Sequence, residues 1–299
     1  MHQRTIRKAV ELQGIGLHSG KAARIRMAPA PPNSGITFHV DGLRIPAAPE
    51  SVVNSHYATT IGRNGARIQT VEHLLAAAAG LGIDNLDVDV EGPEVPAADG
   101  SAKVYVQLLT IAGRVEQSAP RRPIVIPYPI QVGSGGRWVQ IVPAPAFSIS
   151  YTLDNDHPAI GTQALTCTPT ERMFVEEFAP ARTYGFLRDL GSMRRNGLAR
   201  GASLENAIGV GKRGVLNGLR YRDEFVRHKI LDLFGDLALL GRPVLGHVVG
   251  RNAGHALNFE LVVAVQHALG LDRRPAGAAL VARETAPRKS TLTPSPIPA

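Results

Sequence analysis

Cysteine occurs once in the 299 residues, as Cys167. A disulfide framework and a cysteine-based zinc site within one chain are thereby excluded, and a reducing compartment is expected. Aromatic residues make up 5% of the chain, with a single Trp. No apolar run approaches the roughly 18 residues that a membrane span needs. The opening M-H-Q-R-T-I-R-K-A-V lacks an apolar core of signal-peptide length, so a cytoplasmic protein is expected. Basic runs with interleaved aromatics are also missing, which argues against nucleic acid despite a net charge of +8. That charge remains compatible with an anionic small substrate or an anionic membrane surface.

Glycine and proline are plentiful, at 31 and 22 residues, and imply many tight turns between short strands. A hydrophobic fraction of 44% and a charged fraction of 19% are those of a globular protein, and the length allows two domains. Strands are expected near 4–12, 22–28, 35–40 and 58–61. A helix follows over 70–80, with Thr70 as its opening cap and Gly80 and Gly82 as its stop. Residues 84–91 alternate strictly and predict a half-buried strand, and 101–112 an amphipathic helix. A-P-R-R-P at 119–123 reads as a boundary, after which the texture recurs. Strands near 124–132, 137–142 and 147–153 precede a helical stretch at 169–177, an irregular segment at 181–203 and a helix at 223–241. An apolar strand at 244–249 and a helix over 255–270 close the series. The expectation is an α+β protein of two similar units, 1–118 and 124–272, each a small sheet layered with two helices. A disordered Pro-rich tail over 273–299 is expected to follow.

Three places carry chemistry. In the helix at 223–241, His228, Asp232 and Asp236 fall at i, i+4 and i+8 and share one stripe. Such a row on an apolar helix must be solvated, paired or metal-bound. Glu72 and His73 stand together in the first turn of an Ala-rich helix, where a capping-type Glu beside an incidental His is the plainer assignment. His255 lies near the start of the last helix. His18, in the Gly-rich loop 14–20, reads as a hydrogen-bonded structural residue. Combined, His73, His228 and Asp232 could ligate one Zn²⁺ and leave a fourth position for water. Glu72 points about 100° away from His73 around the helix and could take a proton from that water. His255 could donate a proton or stabilise an oxyanion. The competing reading is a non-catalytic sugar-nucleotide-binding module in which His228 and Asp232 form a structural ion pair.

The residues also resemble a known family. T-V-E-H-L at 70–74, D-G-S at 99–101, N-D-H-P-A-I at 155–160 and A-R-T-Y-G-F at 181–186 occur in the order found in the UDP-3-O-acyl-N-acetylglucosamine deacetylase (LpxC) family. The F-V-R-H-K-x-L-D-x-x-G-D pattern at 225–236 and G-H-A-L-N at 254–258 continue that order, and the similarity spans roughly 2–270. Tyr184 stands where Phe is more usual in the family, and Gly201-Ala202-Ser203 replaces a Gly-Gly-Ser.

The resemblance implies a zinc amidase of lipid A biosynthesis with its site in a cleft between two domains. It implies His73, His228 and Asp232 as zinc ligands, Glu72 as general base and His255 as general acid oriented by Asp236. By the same likeness, Thr183 hydrogen-bonds the oxyanion and Lys229 meets the substrate. Phe186, Leu190 and Ser203 belong to an acyl-chain passage built from the insert at 181–203. The partner implied is an acylated UDP-glucosamine, met by a monomer that touches the inner leaflet transiently.

Overall fold

The fold is that of a computed structural model in which residues 1–271 are described. The expected tail at 273–299 lies outside the described residues. Two five-stranded sheets dominate. Across its width, the first runs Val10–Ile15, Ala22–Pro29, Leu86–Glu91, Ile36–Val40, Leu43–Pro46. The second runs Ile130–Ser134, Arg137–Val142, His247–Arg251, Ser148–Asp154, Thr162–Cys167. The two orders are the same. A first hairpin and a second hairpin flank a strand that comes last in the chain. That centre strand is antiparallel to one neighbour and parallel to the other in both sheets. The architecture is therefore α+β with two sheet-rich halves of one topology.

The helices are α1 (Glu72–Gly80), α2 (Lys103–Ala112), α3 (Glu171–Met173), α4 (Leu187–Arg195), α5 (Glu224–Ala238) and α6 (His255–Ala268). In the first half α1 precedes the centre strand and α2 follows it; in the second, α5 and α6 take those places. The helices α1 and α5 pack on each other and join the halves. Ala76, Ala77 and Ala78 of α1 are fully buried. Gly235 of α5 makes the contact close: a Cβ there would stand 2.1 Å from the Glu72 carbonyl oxygen. Glycine inside a helix costs roughly 1 kcal/mol relative to alanine, and here that cost is offset by the approach it permits. Phe225, Ile230, Leu231 and Leu233 of α5 are fully buried, each worth roughly 1.5–3 kcal/mol over exposure.

Several elements differ from expectation. The strand expected at 4–12 is two, His2–Ile6 and Val10–Ile15, because polar Arg7 and Lys8 turn the chain. The first of these leaves the main sheet to pair with Arg114–Pro120. The apolar strand at 244–249 is likewise broken at Gly246 into Val244–Leu245 and His247–Arg251. Thr70 does not cap α1. It sits at φ 63, a conformation costly for a β-branched residue, and its hydroxyl donates to Glu94 Oε1 at 2.7 Å. Within the segment expected to be irregular lie a short strand, Tyr184–Phe186, and the nine-residue α4. The residues of α4 are half-buried or exposed, so burial leaves no strong apolar period to read there.

Candidate active site

The site forms where the first turn of α1 meets the middle of α5. His73 comes from the former, His228 and Asp232 from the latter, and all three are buried. One donor atom from each lies within 4.8 Å of the other two. Asp232 Oδ1 stands 3.4 Å from His228 Nε2 and 3.7 Å from His73 Nε2, too far for good hydrogen bonds. It is buried without a hydrogen-bond partner. His228 donates its Nδ1 proton to the Ala181 carbonyl at 3.0 Å, which leaves the Nε2 lone pair facing its neighbours. Burial lowers the His228 pKa to about 4 against the opposing pull of Asp232, so its imidazole is neutral at neutral pH. A buried carboxylate oxygen without a donor, aimed at two imidazole nitrogens, fits a divalent cation.

The other carboxylate oxygen is occupied. Lys229 Nζ donates to Asp232 Oδ2 at 2.7 Å. Burial works to raise the Asp232 pKa, but His228, Lys229 and His255 outweigh it and hold it well below the usual carboxylate range. Asp232 is thus an anion, the form a metal requires.

A second group lies beside the first. Glu72 Oε2 accepts the Thr59 backbone N–H at 3.0 Å, and Oε1 stands 3.7 Å from His255 Nε2. His255 Nδ1 lies 2.8 Å from Asp236 Oδ2. Asp236 also accepts the Thr59 hydroxyl on Oδ1 at 2.6 Å and the Asn258 amide on Oδ2 at 2.8 Å. Burial raises the Glu72 pKa, with His255 and His73 opposing. For His255, burial works downward, yet Asp236, Asp232 and Glu72 together push it up to about 10. The pair therefore holds one proton on the imidazole and a carboxylate of raised basicity, poles suited to moving a proton.

The remaining expected residues lie in the segment after α3. Its first residues are pinned to both halves. Ala181 accepts from His228, and the Thr183 N–H donates to the Gly100 carbonyl at 2.8 Å. Tyr184 packs edge-on against Phe225 with ring centres 4.9 Å apart, and its ring lies 6.4 Å from that of His228. Thr183 therefore stands next to α5. Phe186 is half-buried between His157 and the Arg188 guanidinium, which lies 4.7 Å from its ring centre. Leu190 is half-buried on α4, and Ser203 is exposed at the start of the turn 203–206. His18 is buried and accepts the Ala199 N–H at 3.3 Å, which ties loop 14–20 to this segment. Asn258 is the last residue of the G-H-A-L-N motif, but no motif or spacing in the sequence marks Thr59. Thr59 sits beside a short strand, 177 residues away from Asp236 in the chain.

A family model described as UDP-3-O-acyl N-acetylglycosamine deacetylase matches residues 3–267. Similar proteins carry the name UDP-3-O-acyl-N-acetylglucosamine deacetylase. One, from Myxococcus xanthus (strain DK1622), is 50% identical over 267 residues, covering 87% of this chain and 85% of its own. Another, from Acidithiobacillus ferrooxidans (strain ATCC 53993 / BNL-5-31), is 49% identical over 273 residues, covering 89% and 90%. A third, from Oleidesulfovibrio alaskensis (strain ATCC BAA-1058 / DSM 17464 / G20), is 48% identical over 264 residues, covering 86% and 87%.

Proposed function

The chain belongs to the UDP-3-O-acyl N-acetylglycosamine deacetylase family, and from that premise we propose how its cleft works. It hydrolyses the acetamide of UDP-3-O-acyl-N-acetylglucosamine, releasing acetate and the free amine, an early step of lipid A biosynthesis. His73, His228 and Asp232 are the residues that hold the metal. Two imidazoles and one carboxylate suit Zn²⁺, and we assign that ion. When bound, Zn²⁺ lowers the pKa of a water to about 7 and polarises the acetyl carbonyl.

The chain supplies the rest. Glu72 takes a proton from the attacking water on Oε1, the oxygen that the Thr59 N–H leaves open. Its raised pKa brings its basicity nearer to the operating pH. The Thr183 hydroxyl donates to the acetyl oxygen as negative charge grows there. His255, kept protonated by Asp236, gives a proton to the departing amine. Lys229 steers Asp232 and presents positive charge toward the substrate. Phe186, Leu190 and Ser203 border the acyl chain. No helix among the described residues is long and apolar enough to cross a membrane.

The observation that carries this reading is Asp232 Oδ1, buried, without a hydrogen bond, between imidazoles from both halves. Metal analysis of the purified protein, combined with amine release from the acylated UDP-sugar, tests it. One Zn²⁺ per chain and amine release abolished by chelation are expected. Full amine release from metal-free protein would refute the assignment.

A further inference from the structure

The groups that handle protons come from opposite halves. Glu72 opens α1, while Asp236 and His255 belong to α5 and α6. One residue touches both sides. Thr59 is 1% exposed. Its backbone N–H donates to Glu72 Oε2 at 3.0 Å, and its hydroxyl donates to Asp236 Oδ1 at 2.6 Å. Its carbonyl accepts the N–H of Val71, the residue before α1, at 3.2 Å. Each bond has a consequence. The N–H ties down one oxygen of Glu72 and turns the other, Oε1, toward His255 Nε2. The hydroxyl fills Oδ1 of Asp236 and leaves Oδ2 for His255 Nδ1 and Asn258. Without that hydroxyl, a buried carboxylate oxygen loses its donor and the carboxylate is held through Oδ2 alone. The imidazole it orients is then less firmly fixed.

We propose that Thr59 is a positioning residue for the deacetylation, one side chain and one backbone N–H that lock Glu72 and the Asp236–His255 pair into a single aligned relay. This rests on Glu72 and His255 as the proton-handling pair. Thr59 touches neither the three metal ligands nor the substrate in this account. Its loss should therefore leave metal binding and substrate affinity alone and act on turnover.

The test is Thr59→Val, which keeps the shape and removes the hydroxyl, beside Thr59→Ser, which keeps the hydroxyl, both as metal-loaded full-length protein. Zinc content, kcat and KM for the acylated UDP-sugar are measured. For Thr59→Val, kcat should fall about 10–100-fold, as for other outer groups that orient reacting residues, with KM and zinc content within about twofold of the parent. Thr59→Ser should recover kcat to within about threefold. Should Thr59→Val not fold, Thr59→Ala takes its place in the same comparison. A double variant separates alignment from general damage: in a His255→Ala background, Thr59→Val should cost less than about twofold, because the residue it aligns is gone. An undiminished kcat in Thr59→Val, a Ser variant as slow as Val, or an equal loss in the His255→Ala background would each overturn the proposal. Full turnover in both Glu72→Gln and His255→Ala would instead overturn the assignment of the proton-handling pair on which it stands.

Discussion

The two halves share a strand order and the placing of their helices, yet they contribute unequally to the site. The first half offers Glu72 and His73, neighbours in the opening turn of α1. The second offers His228, Asp232 and Asp236 from three successive turns of α5, and His255 from the first turn of α6. In the first half, α2 opens with Lys103 after the D-G-S loop, and that loop does structural work. Asp99 pairs with Arg220 at 2.8 Å, and a Cβ on Gly100 would stand 1.8 Å from the Asn206 carbonyl oxygen. A repeated scaffold thus supplies one helix–helix seam, and the chemistry is loaded onto it asymmetrically. The first half gives what must sit at the seam, and the second gives the remainder.

Removing a ligand from either half should have the largest effect. His73→Ala and His228→Ala differ in which half they damage but should behave alike. Each should lose zinc, with turnover falling by more than about a hundredfold, beyond the loss usual for outer-shell changes. Metal analysis and amine release on the same preparations check this. If one variant kept its zinc and the other did not, the metal would belong to one half alone.

Next in size is Glu72→Gln. It should hold zinc and lose roughly two to four orders of magnitude in turnover, the usual share of a general base. Loss of zinc as complete as in His73→Ala would make Glu72 a ligand and reopen the search for a base.

Gly235→Ala probes the seam itself. The added methyl would meet the Glu72 carbonyl at 2.1 Å, so α1 and α5 must part. Overpacking of this kind costs about 1–3 kcal/mol. Calorimetry should show the lower Tm. Turnover should fall about tenfold, since a displacement on the order of 1 Å at a reacting group is felt strongly. An unchanged Tm would mean that the halves do not depend on close approach at this point.

How much of this was legible beforehand follows from the distance over which each feature is encoded. The row His228, Asp232, Asp236 is a matter of spacing within one helix, and the periodicity shows it directly. Residues 84–91 were readable for a similar reason: Leu86, Val88 and Val90 face the core, while Asp87 and Asp89 meet His39 and Arg26 on the outer face. The sameness of the halves could be sensed from texture, since strand order is a pattern of elements and needs no residue identity. Thr70 misled because a hydroxyl before an apolar run looks like a cap, whereas this one answers to Glu94, a buried carboxylate 24 residues on. The segment 181–203 hid a helix because α4 has no buried residue, so no apolar period marks it, while Arg200 and Gly201 beyond it are fixed through the carbonyls of His18 and Leu17, far off in the chain. Thr59 could not be found at all, because both its side-chain and its main-chain partners are fixed by the meeting of α1 with α5.

The smallest effect on turnover is expected from Glu224→Gln, and there the halves differ in sign. Glu72 and Glu224 are both buried at the starts of corresponding helices. Burial works to raise both carboxyl pKa values. At Glu224 it is overcome by the Arg182 guanidinium at 2.9 Å, with N–H bonds from Arg182 and Arg220, and the pKa ends below its ordinary 4.5. At Glu72 burial prevails, and the pKa ends above 4.5. A depressed carboxyl stabilises the fold above its unfolded pKa, and that gain is lost as pH falls through the folded value. A raised one stabilises below its unfolded pKa, and that gain is lost as pH rises through the folded value. In metal-free protein at pH 7, Glu224→Gln should therefore lower Tm and Glu72→Gln should raise it by a few degrees. The Glu72 difference should shrink as pH falls through its raised folded pKa and be gone by about 4.5, whereas the Glu224 difference should shrink only below about 4.5, where the unfolded carboxyl takes up its proton. Thermal melts of the two variants and the parent from pH 3 to pH 7 check this. A Glu72→Gln protein that melts lower than the parent at pH 7 would show that the base is held without strain, and the asymmetry of the halves would then lie in chemistry alone.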